Sequence, residues 1–329
     1  MIGRRRFLGC LLAASAASRL VAHAAENFFA GKTITYIVAT KPGGGYDTMG
    51  RLVAKYLEAH IPDAQIVVKN IAGAGHLVGC QTIYNAAPDG LTIGTFNTSL
   101  IYSQLTGALD SDLDLRRMSW IGKAAIESRV IVVAARSGIT SVDALKQTDR
   151  VFNVAVTGKG AASHVDAMLL ARVFGYNFRP IFGFEGTEAE LSMLRGEIDV
   201  QVASRSSLEP FVASGGGRFL LEFGGAPDST LPQGDALAKS PTDRAVIDLI
   251  EAQAKFTRVT AGPPGIPPDR LQFLRSAYLA IFSDSGFLAE AKALQLPISP
   301  ASGEAVAGRI TAALDPSPEI HAILADLLK

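Results

Sequence analysis

Cysteine is nearly missing from this chain: Cys10 and Cys80 are the two in 329 residues. Cys10 falls in a leader-like N-terminus, and the one remaining thiol can close no internal disulfide even in an oxidising compartment. Histidine is scarce too. His60, His76, His164 and His321 follow the leader, and no two stand at metal-ligand spacing. Cationic surplus is also absent, since 31 Lys and Arg balance 31 Asp and Glu. Once Arg4, Arg5, Arg6 and Arg19 of the leader are set aside, 27 basic residues face 31 acidic ones, a net charge of −4 that excludes bulk attraction of nucleic acid. After the leader no apolar run reaches the roughly 18 residues of a membrane-spanning helix.

Catalytic signatures are equally thin. There is no G-x-S-x-G elbow. Ser163, His164 and Asp166 are triad residue types, but on one helix start they point in different directions. Lys159 lacks the upstream glycine and the following Ser/Thr of a Walker loop. "GAGHLVG" (73–79) carries its last glycine one residue late for a dinucleotide fingerprint. The expectation is a protein that is not an enzyme, with no cofactor and no metal. An exported cofactor-dependent enzyme is the alternative.

What the chain does have begins with that leader. "MIGRRRFLGCLLAASAASRLVAHAAE" combines a basic start, an apolar stretch from Phe7 to Ala17 and a small-residue site at Ala22-His23-Ala24. It reads as an export signal over residues 1–25. Arg4-Arg5-Arg6-Phe7-Leu8 matches the twin-arginine pattern, and an ordinary Sec leader with extra arginines remains the other reading. Export places the mature chain in the periplasm.

The body is 48% hydrophobic, and strands alternate with helices. Lys32–Ala39 reads as a buried strand. Met49, Leu52, Val53, Tyr56 and Leu57 then fall on one helical face. "QIVVKN" (65–70), "LTIGTF" (91–96) and "VFNVAVT" (151–157) are further strands, so the class is α/β with mostly parallel sheets. Ser163 with Asp166, and Thr187 with Glu190, have capping-box spacing, while Gly175 and Gly196 suit helix ends. The chain leaves one α/β unit, builds another and returns. That implies two lobes joined by two crossing strands: residues 26–127 and 257–329, and residues 128–256, with hinges near Glu127–Val133 and Phe256–Ala261.

Two stretches share one plan: "VATKPGGGYDTMGRLVAKYL" and "AVTGKGAASHVDAMLLARVF". Each is a strand ending in Thr, a Gly-rich loop with one Lys, then an amphipathic helix. Glycines let backbone N–H groups approach a ligand, and a helix N-terminus adds unpaired donors and partial positive charge. That is an anion site made from backbone, placed where α/β sheets hold ligands. The bland readings stand beside it. Such turns also serve tight packing alone. Asp47 fits a helix cap paired to Arg51 as well as a partner for a ligand amine, and Lys41 and Lys159 fit solvated surface charges.

"PGGGYDTMGR", "VVKNIAGAGHLVG", "APDGLTIG", "FGFEGTEAELSMLRGEIDV" and "PPGIPPDRLQFLRSAYLAIFSD" together resemble the solute receptors of tripartite tricarboxylate transporters, the Bug proteins. The likeness runs over most of residues 30–300 and is densest over 32–97. It implies a two-lobed periplasmic-binding-protein fold (type II-like) that closes on a carboxylate. It also implies a membrane permease as partner, although a sensor kinase would use the same site. Carried over, the first two loops give Gly43, Gly44, Gly45 and Asp47, then Gly73, Ala74 and Gly75. The second lobe gives Thr157, Lys159, Ser163 and His164, with Phe184 and Ser204 completing the set. Gly50 stands where the family favours Ala before Arg51, and "TGKGAASH" lacks the family's Gly-Ser pair in its usual place. The implied ligand is a di- or tricarboxylate or an aromatic acid, bound by a monomer.

Overall fold

A computed structural model of the chain describes residues 26–327, apart from positions 108, 110, 111, 226, 227, 256 and 317. The leader expected over residues 1–25 lies outside the described residues, as does Phe256 of the second expected hinge. In chain order the strands are β1 (Thr33–Val38), β2 (Gln65–Asn70), β3 (Thr92–Phe96) and β4 (Ser119–Ala125). They are followed by β5 (Arg129–Ala134), β6 (Phe152–Val156), β7 (Phe178–Phe182), β8 (Val200–Ser204) and β9 (Gly217–Phe223), and then by β10 (Thr257–Gly262) and β11 (Ile298–Ser302). They form two sheets, ordered β11-β4-β10-β3-β1-β2 and β7-β6-β8-β5-β9. The first sheet and its helices make one lobe, the second makes the other, and the α/β two-lobed class expected from the sequence is what the chain adopts.

Both sheets are mixed where mostly parallel ones were expected. The strands joined by crossover helices are parallel: β2–β1–β3 and β7–β6–β8. The strands next to the crossings run the other way. β10 enters between β3 and β4 antiparallel to both, and β5 is antiparallel to β8 and β9. The direction of such a strand is set by the edge at which it re-enters its lobe, which no local pattern encodes.

Local rules explain the helices. Helix Gly45–Ala59 buries Met49, Leu52, Val53 and Leu57 against β1 and β3, each side chain contributing roughly 1.5–3 kcal/mol of burial. Gly175 and Gly196 stop the helices Ala162–Phe174 and Glu188–Arg195 in the left-handed conformation, φ 76° and 94°. The two expected capping boxes do not form: Ala161, not a serine, is the first cap, and Thr187 makes no side-chain cap bond. Among the described residues no helix is long and apolar enough to cross a membrane.

Where the chain crosses between lobes, the Glu127 N–H donates to the Ala254 carbonyl at 3.1 Å, so the two crossings run side by side. Arg258 sits there at φ 56°, 1% exposed, with Nε donating to Glu127 Oε1 at 2.8 Å.

Candidate functional site

The site is built where the parallel strands end. After β1 the chain turns through Gly43 and Gly44 into helix Gly45–Ala59, whose start has no side-chain cap. Asp47, three residues beyond Gly44, reaches back instead. Its carboxylate accepts from the Gly43 N–H and from Arg51 Nε, both at 3.0 Å, and from Asn70 Nδ2 at 2.8 Å. Burial opposes its ionisation, but these bonds outweigh burial and hold the carboxyl below its ordinary range. Asp47 is therefore committed to shaping its own loop.

The loop after β6 behaves alike. Ser163 Oγ accepts from the Thr157 N–H at 3.0 Å, and the Gly160 N–H donates to His164 Nδ1 at 3.3 Å. The His164 ring lies 5.3 Å from that of Phe182, and burial, then the Lys159 charge, lowers its pKa. Lys159 itself is exposed.

The lobes meet along both loops. A Cβ on Gly44 would lie 3.1 Å from Gly186 Cα, and one on Gly75 would lie 2.7 Å from Ala161 Cβ. Gly75 also holds φ 63°, so sterics and backbone both require glycine there. Between these contacts lies a cavity of about 120 Å³. Of the residues singled out from sequence, Gly44, Gly45, Thr157, Ser163, Phe184 and Ser204 line it. Gly43, Asp47, Gly73, Ala74, Gly75, Lys159 and His164 do not. They shape or flank the two loops.

Several lining residues escaped the sequence reading. Arg129, the first residue of β5, is 4% exposed. Its Nη2 stands 2.7 Å from Asp166 Oδ2 and donates to the Val202 carbonyl at 3.1 Å, while Nη1 has only a 3.5 Å contact with Ser204 Oγ. A guanidinium carries five donors, so Arg129 keeps bonding capacity at the cavity wall. A charge opening an otherwise apolar strand was the available signal. His76 is 8% exposed, with no hydrogen-bond partner for Nδ1. Burial, then the Arg258 charge, pushes its pKa down to about 3, so the ring is neutral. It rests 4.9 Å from Tyr46, which lies 4.0 Å beneath the Arg258 guanidinium. Glu185 and Glu190 line the opposite lobe, both with pKa values raised first by burial. Among the described residues no His, Cys, Asp or Glu group is arranged to hold a metal ion.

Two α/β lobes closed over a small polar cavity define the fold of periplasmic solute-binding proteins. The profile of the family described as "Tripartite tricarboxylate transporter family receptor" (TctC) matches residues 50–287, and the chain belongs to that family. It is 27% identical over 210 residues to the "UPF0065 protein in tcbD-tcbE intergenic region" of Pseudomonas sp. strain P51, a match spanning 63% of this chain and 62% of that relative. Its fold is similar to that of the periplasmic binding protein BugD, with TM-score 0.73, 19% identity, and coverage of 90% of this chain and 97% of the other. It is similar also to MatC from Rhodopseudomonas palustris with bound malate, with TM-score 0.70, 16% identity, and coverage of 91% and 99%. At these identities the structural likeness is one of fold.

Proposed function

We propose that this protein is an exported receptor that captures a small organic carboxylate between its lobes and passes it to the membrane permease of a tripartite tricarboxylate-type transporter. The observation that carries the reading is Arg129, a buried guanidinium with spare donors on the wall of a cavity between the lobes that two uncapped helix starts also line. The family assignment and the malate held by the similarly folded MatC support the same class of ligand. The leader over residues 1–25 directs the chain to the periplasm, by the twin-arginine route. Binding closes the lobes about the paired crossings, and release reopens them. No bond is made or broken in the ligand.

The test is a stability screen of the purified protein against mono-, di- and tricarboxylates. A ligand at 100 times its Kd adds about 2.7 kcal/mol to the unfolding free energy. A folded, ligand-free preparation that responds to no carboxylate would refute the proposal.

A further inference from the structure

Resting on that reading, we propose that the ligand is an acid that also carries a protonated nitrogen, and that Glu185 and Glu190 read that second group. Both residues line the cavity, and in each one carboxylate oxygen (Oε2) is buried without a hydrogen-bond partner. Most other charges near the cavity are already matched, the exposed Lys159 apart. Arg129 is paired with Asp166, Arg258 with Glu127, and Lys41 with Glu188. Ser163 Oγ is engaged by Thr157, Gln201 contacts Met193 Sδ and also bonds the Glu190 carboxylate, and the Gly73 N–H bonds that of Glu185. Each carboxylate thus has a neutral partner at one oxygen, while its Oε2 stays unpartnered and neither group forms an ion pair among the described residues, although the Lys41 charge lies within reach of Glu185. An independent sign comes from the facing lobe, where the nine-tenths-buried His76 lines the same cavity with its Nδ1 unpartnered. Neutral imidazole offers a further polar contact without adding positive charge.

The sheet separates the two ends of this site. In β8, Val202 joins the core beneath helix Ala162–Phe174, the side on which Arg129 meets Asp166. Ala203 and Met193 belong to the core beneath helix Glu188–Arg195, which carries Glu190, and Gln201 reaches Met193 there. Strand alternation thus puts the guanidinium and the carboxylates on opposite faces of one sheet, where both meet the cavity at the strand ends. A ligand lying across the end of β8 presents its carboxylate to Arg129 and its donor to Glu185 and Glu190. A second carboxylate placed there would face two like charges within hydrogen-bonding reach.

The experiment is calorimetry on the purified protein with acids matched in length whose far end is an amine, a carboxylate or a hydrogen: 4-aminobutyrate, glutarate and butyrate, alongside aspartate with succinate and glutamate with glutarate. The expected result is that at least one amino-bearing acid binds tenfold or more tighter than its dicarboxylate counterpart. Glu190→Gln and Glu185→Gln each reduce that preference, and the double variant removes it while leaving the fold intact by circular dichroism. Equal or tighter binding of the dicarboxylates overturns the inference and leaves the carboxylate receptor standing. So does an amine preference that survives the double substitution. If no acid of any kind binds to folded protein, the receptor reading fails, and this inference with it.

Discussion

The two Gly-rich loops that face each other across the cavity look alike in sequence and work differently. In the first lobe the charged side chain turns away from the cavity: Asp47 is consumed by Gly43, Arg51 and Asn70. What reaches the wall is backbone at Gly44 and Gly45, flanked by the uncharged Thr40 and Tyr46. In the second lobe Ser163 and His164 are likewise spent within the loop. Asp166, one turn farther on, instead anchors a cation that does reach the wall, Arg129. The first loop contributes clearance and helix-end polarity, and the second contributes a formal charge. The same pattern of strand, glycines and helix can thus supply either a steric or an electrostatic half of one site.

The sharpest way to break that comparison is to strand the cation. Asp166 is fully buried and Arg129 nearly so. Asp166→Asn leaves a buried guanidinium without its counter-charge and is expected to cost about 3–5 kcal/mol in urea unfolding. A bound carboxylate then replaces part of the missing charge, so the ligand-induced stabilisation grows relative to the native protein even as absolute stability falls. The double change Arg129→Met with Asp166→Leu restores most of the stability, because a buried ion pair replaced by apolar groups of similar size is often neutral. It should nonetheless abolish carboxylate binding. A double variant that binds as well as the native protein would show that the second loop supplies no charge.

The steric half is tested at Gly45. A Cβ there would sit 2.3 Å from Ser207 Oγ and 2.7 Å from an Arg258 Nη, both across the closed interface or at its crossing. Gly45→Ala obstructs the approach of the lobes at Ser207 and also presses on the buried Arg258 of β10 in its own lobe. We expect ligand affinity to fall by about 10- to 100-fold, the scale of modest overpacking. Unfolding of the ligand-free protein should also become easier, by about 1–3 kcal/mol, because the methyl crowds the buried Arg258. Ser207→Gly added to Gly45→Ala should recover part of the affinity by removing the nearest obstacle.

How much of this was legible beforehand follows from how far each interaction reaches along the chain. The apolar face Met49–Leu57 and the strand ends before each loop follow from periodicity, so the lobes and their loops emerge from local pattern. Arg129 does not. Its partner Asp166 lies 37 residues away, and Asp166 has a local explanation as half of a capping box that the tertiary pairing overrides. Glu190 was hidden the same way by its spacing from Thr187, yet it lines the cavity. Side chains with a plausible local role are the ones whose long-range role sequence conceals. The antiparallel β5 and β10 escaped for a related reason, since their neighbours are chosen by the crossings.

The smallest expected effect concerns the salt bridge that spans the lobes outside the cavity. Lys41 Nζ, on the first loop, lies 2.7 Å from Glu188 Oε1 at the start of the helix that carries Glu190. The pair has the right placement to favour closure, and the Glu188 side chain bond raises the Lys41 pKa. Both side chains are nevertheless about half exposed, 48% and 45%, so water and salt screen them, and exposed pairs contribute little. Lys41→Ala should therefore weaken ligand binding by no more than about threefold at low salt. At about 0.5 M salt the difference from the native protein should vanish, because screening then acts within a few ångströms. A larger loss that persists in high salt would mean that Lys41 touches the ligand itself, and the first loop would then supply charge as the second does.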